Sequence, residues 1–69
     1  MDKEFLETLA DVSEDLAIEI LSEFTEEDYR HLRKSCERLG RAAGLLQRES
    51  FDVPFTVLEV LRLFRKAAN

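Results

Sequence analysis

Sixty-nine residues, 45% of them hydrophobic and 36% charged, are enough for one small domain with the balance of a folded chain rather than a disordered one. One cysteine cannot close an internal disulfide, and one histidine with one cysteine cannot build a structural zinc site, so stability has to come from helix packing or from another chain. A net charge of −5 disfavours non-specific nucleic-acid binding, which needs clustered Lys and Arg in excess.

In the first segment Phe5, Leu9, Val12, Leu16, Ile20 and Phe24 recur every three or four residues, the signature of an amphipathic helix. Ser13 followed by Glu14 and Asp15 has the form of an N-cap with acids in the first turn, which predicts a short helix near 3–10 and a second near 14–23, with one continuous helix as the alternative. The next start is Thr25, with Asp28 three positions on as a capping box requires, and with Phe24 and Tyr29 at the positions of a hydrophobic staple; a helix begins at Glu26.

From there Tyr29, Leu32, Cys36, Leu39, Ala43 and Leu46 form a seam with alternating spacings of three and four. Unbroken, residues 26–48 make a helix of roughly 35 Å. Gly40 and Gly44 interrupt it in composition, each less favourable than Ala by about 0.8–1 kcal/mol in a helix interior. Either Gly40 ends one helix and a short one runs from Arg41 to Arg48, or Cys36, Gly40 and Gly44 form a small-residue stripe where another helix crosses closely. The seam running through both glycines favours the stripe. ESFDVP is the clear loop, with Asp52 placed to cap and Pro54 suited to a first turn. In PFTVLEVLRLFRKAAN a narrow polar stripe (Thr56, Glu59, Arg62, Lys66) leaves Phe55, Val57, Leu58, Val60, Leu61, Leu63 and Phe64 covering more than an ordinary apolar face. That helix is central, or buried against another molecule. The fold class is all-α, a small bundle of three long or four shorter helices in a single domain, 1–69.

Charge is divided along the chain. Residues 1–28 carry eleven acids against one base, a balance of −10, and residues 29–69 carry nine bases against four acids, a balance of +5. Either the surface is polarised toward a partner, or an acidic helix packs beside a basic one and the two neutralise each other within the monomer; the small size favours internal neutralisation.

His31-Leu32-Arg33-Lys34-Ser35-Cys36 resembles the His-x-x-Lys-Gly-Ser/Ala motif of histidine phosphotransfer domains, with Ser35 where that family has glycine. The resemblance implies a helical bundle with His31 as phospho-acceptor and Lys34 balancing its charge. Cys36 falls on the seam, where a cysteine is a packing residue, and His31 and Cys36 point about 140° apart on one helix, which argues against a catalytic pair. Arg41-Ala42-Ala43-Gly44-Leu45 resembles the turn of a helix–turn–helix, implying a DNA-binding regulator with a degenerate motif. No calcium loop and no Gly-rich nucleotide loop is present.

The leading expectation is a cytoplasmic, non-enzymatic interaction or regulatory module with no catalytic residue, cofactor or metal. It acts as a homodimer or on another protein, through Val57, Val60, Leu61 and Phe64 with Gly40 and Gly44. Arg30, Lys34, Arg38 and Arg41 form a charged contact face. DNA binding and phosphotransfer through His31 are the alternatives. No apolar run reaches the ~20 residues of a membrane span, and MDKEFLETL lacks the layout of a secretion signal, so no membrane is expected.

Overall fold

The computed structural model describes residues 1–68 and is all-helical: α1 (Lys3–Glu23), a 3₁₀ segment (Glu26–Leu32), α2 (Arg33–Arg48) and α3 (Phe55–Ala68), with no strand among the described residues. The bundle therefore has three α-helices, not four.

α1 starts at Asp2, whose carboxylate accepts the Glu4 N–H at 3.2 Å, and runs unbroken to Glu23. The division expected at Ser13 is absent. Ser13 lies in mid-helix and is 4% exposed, in line with Leu6, Ala10, Ala17 and Ile20, and it is this face that packs on the core. The buried face is thus turned about one position from the Phe5–Leu9–Val12–Leu16 series. The middle of this face, Ala10, Ser13 and Ala17, is small, which lets the helices close on one another.

Thr25 begins the next element as expected. Its N–H and its hydroxyl both donate to Asp28 Oδ2, at 2.9 and 3.1 Å. These bonds, the backbone one first, hold the Asp28 carboxyl below its ordinary range. The first seven residues wind as 3₁₀ rather than α. At three residues per turn Glu26, Tyr29 and Leu32 fall in one line. Tyr29 is driven into the core, Leu32 is half-buried, and Glu26 reaches Lys66 of α3 at 3.3 Å.

α2 runs straight through both glycines and buries Cys36, Leu39, Ala43 and Leu46, the latter part of the seam. It stops at a Schellman motif rather than at Gly40. The Phe51 N–H donates to the Leu46 C=O at 2.8 Å and the Ser50 N–H to the Gln47 C=O at 3.0 Å, with Ser50 at φ 57° and Phe51 packed on Leu46. α3 begins one residue later than expected, so Pro54 holds the cap position; its C=O accepts from Val57 and Leu58 while Asp52 is exposed. α3 packs against α1, α2 and the 3₁₀ segment, the central place its apolar composition calls for. A main cluster around Tyr29, Leu39, Val57 and Val60 fills the middle of the bundle, and a smaller one of Leu6, Ala10 and Leu46 lies at one end, with Val53 touching both.

Candidate interaction surfaces

The residues picked from the sequence as a contact surface on α3 are divided by the fold. Val57 and Val60 are fully buried in the monomer, so they form core and are out of reach of a second molecule. They sit inward because α3 is enclosed on three sides. Leu61 and Phe64 are half-buried and, with Leu58, Cys36, Gly40 and Ala43, line a groove of about 460 Å³ between α2 and α3. Arg65 and Gln47 stand on its rim.

Gly40 lines this groove, whereas Gly44, one turn further on, is exposed and does not. A methyl group placed on Gly40 would lie 3.9 Å from Leu61 Cδ2, an ordinary contact, and one placed on Gly44 would meet nothing within 4 Å. The close crossing expected at this stripe is therefore not made inside the monomer. Along the outer edge of α3, Phe55 is 75% and Leu58 44% exposed. Sequence reading did not single these two out, because a helix apolar nearly all round gives no period to tell inward from outward.

The distribution of bulk is unusual. None of the five phenylalanines is buried: Phe5, Phe24 and Phe55 are exposed and Phe51 and Phe64 half-buried. Much of the core is instead made by Ala10, Ala17, Cys36, Ala43, Val57 and Val60 around Tyr29, Leu39 and Leu46. Phenylalanine has the most to gain from leaving water, so this arrangement keeps a large apolar contact area outside the monomer.

Arg30, Lys34, Arg38 and Arg41 are all exposed, but they do not form one site. Arg38 and Arg41 border a second groove of about 260 Å³ with Leu9, Ala42 and Leu45, between α2 and α1. Arg30 borders a separate shallow depression with Glu26, Glu27 and Ala67. The three ion pairs among the described residues join Lys66 to Glu26, Arg62 to Glu59, and the Met1 amino group to Glu49. Among the described residues no carboxylate of α1 lies within 4 Å of a basic group. Of the two halves of the chain, only Lys66 and Glu26 are joined by a side-chain ion pair among the described residues, and the acids of α1 face solvent.

His31 is exposed and sits on the 3₁₀ segment, while Lys34 belongs to the first turn of α2, so the six residues that resemble a phosphotransfer motif straddle the change of helix type. Cys36 is 1% exposed and burial pushes its thiol up, away from the reactive thiolate. Burial likewise raises the Tyr29 hydroxyl. Arg41 to Leu45 lie inside α2, so the turn that a helix–turn–helix requires there is not formed. Among the described residues no group of three or more His, Cys, Asp and Glu is placed to hold a metal ion, and no helix is long and apolar enough to cross a membrane. Comparison with protein families, curated proteins and solved structures finds no match to this chain.

Proposed function

We propose that the protein is a non-enzymatic protein–protein interaction module whose α2/α3 groove receives an amphipathic helix from a partner. The observation that carries this is the open apolar groove lined by Gly40 on α2 and by Leu58, Leu61 and Phe64 on α3. A glycine in a helix interior weakens the helix, and at Gly40 only Leu61 comes within 4 Å of the place a side chain would take among the described residues. A partner helix laid there meets backbone at Gly40 and apolar side chains at Leu58, Leu61 and Phe64, which is the helix-in-groove mode of recognition. Arg65, exposed on the rim and free of any ion pair among the described residues, favours a partner helix with carboxylates beside its apolar stripe. The same reading sets the protein in the cytoplasm, where its single free thiol stays reduced.

The test uses a designed helical peptide of about 20 residues, with leucine on one stripe and glutamate on both flanks, followed by fluorescence anisotropy. The acidic peptide binds wild type; a version with lysine flanks binds more weakly. Gly40→Leu puts a side chain into the groove and abolishes binding, as does Leu58→Glu. Binding unchanged in both variants would refute the groove as the docking site.

A further inference from the structure

α1 carries two apolar faces, and only one of them is fully used: in the second, Leu9 and Leu16 touch the core from its edge while Phe5 and Val12 stand clear. The core takes Leu6, Ala10, Ser13, Ala17 and Ile20. Beside it Phe5, Leu9, Val12 and Leu16 follow the four–three–four spacing of a coiled-coil seam, with Phe5 51% and Val12 60% exposed and Leu9 and Leu16 half-buried. The side chains left outside are larger than those taken inside. This surface continues onto α2 through Ala42 and Leu45, which share the second groove with Leu9.

The two borders of this face carry opposite charge. On the α2 side stand Arg38 and Arg41, both exposed and unpaired among the described residues. On the far side the helical repeat of α1 places Asp15 and Glu19, also exposed and unpaired. α2 runs antiparallel to α1, since Met1 meets Glu49 and Leu6 and Ala10 cluster with Leu46, so Arg38 and Arg41 stand at about the height of residues 9 to 16. The face is therefore complementary to itself in one arrangement. A two-fold axis along α1 sets two seams side by side and parallel, with the acids of each copy over the arginines of the other. A two-fold axis across α1 would set acid on acid and base on base.

We propose that two copies of this chain associate through Phe5, Leu9, Val12 and Leu16, with the α1 helices parallel and Asp15 and Glu19 of each copy facing Arg38 and Arg41 of the other. The interface is independent of the α2/α3 groove, which opens on the opposite flank of α2, so both can be filled at once.

Sedimentation over a concentration range tests this. Wild type gives a dimer mass and Val12→Glu, altered at an exposed position, gives a folded monomer. Asp15→Arg with Glu19→Arg, and separately Arg38→Glu with Arg41→Glu, each weaken self-association about tenfold or more, and mixing the two variants restores a dimer because every facing pair is again opposite in charge. Val12→Cys cross-links to itself under mild oxidation, since the parallel arrangement sets residue 12 opposite residue 12. A monomeric wild type, a dimer that survives Val12→Glu, or a dimer that fails to cross-link at Val12→Cys would each overturn the proposal. Loss of the dimer in Leu58→Glu alone would place the contact on the α2/α3 groove instead, and leave the peptide test above to judge that groove separately.

Discussion

Replacing Gly44 with alanine should make the isolated protein more stable. The residue lies well inside α2, its φ is not positive, and a methyl group there meets nothing within 4 Å, so no clash offsets the gain in helix propensity. The full difference between Gly and Ala in a helix interior, about 0.8–1 kcal/mol, should appear in the unfolding free energy. For a domain of this size that is a rise in Tm of roughly 4–8 °C. Thermal and urea denaturation followed by circular dichroism, at a concentration low enough to hold the chain monomeric, measures it. The urea slope should not change, because the same surface is exposed on unfolding. Gly40→Ala should behave similarly, since its new methyl group only reaches ordinary contact with Leu61. A Tm that is unchanged or lower in Gly44→Ala would refute the reasoning. It would mean either that α2 is not continuous through residue 44 or that the space beside Gly44 is occupied.

Ser50→Gly should raise stability by about 1 kcal/mol, read by the same denaturation curves, because Ser50 holds a left-handed φ of 57° at the position of a Schellman motif that glycine fills without strain. Thr56→Val should be neutral or stabilising by about 1 kcal/mol, since it removes a buried hydroxyl that has no hydrogen-bond partner while keeping the shape. Asp28→Asn bears on pH. The carboxyl is held below its ordinary value, so its contribution is present above the unfolded pKa of about 4 and is lost as pH falls through the folded value. The variant should be less stable than wild type at neutral pH, and the gap should narrow on acidification below about pH 4; a gap independent of pH would contradict the assignment of the Thr25 bonds.

What the sequence made legible follows from how local each signal is. The Thr25–Asp28 start is written in four adjacent residues, and the structure makes the bonds those residues predict. The seam Cys36, Leu39, Ala43, Leu46 is equally plain, because in α2 the apolar residues fall on one face among many charges. α1 misleads by one position for a physical reason. It holds two apolar stripes that share Ile20, and the bulkier one dominates the periodicity, whereas close packing selects the smaller one with a serine in it. α3 hides its orientation because it is apolar nearly all round: Val57 and Val60 go in while Phe55 and Leu58 stay out, and only the neighbouring helices decide which. The end of α2 at Arg48 was readable from the loop ESFDVP that follows it, but the way the helix stops was not. Glycine is the usual mark of such a stop, and here both glycines lie inside the helix while a serine takes the left-handed turn.

The most direct test of the α2/α3 groove is an amide NMR titration of the protein with the acidic amphipathic peptide. The two glycines give two recognisable signals in a favourable part of the spectrum. Docking in the groove predicts that Gly40 shifts together with Leu58 and Leu61, while Leu9 and Val12 on the α1 seam stay still. Shifts confined to the α1 seam, or none at saturating peptide, would contradict it.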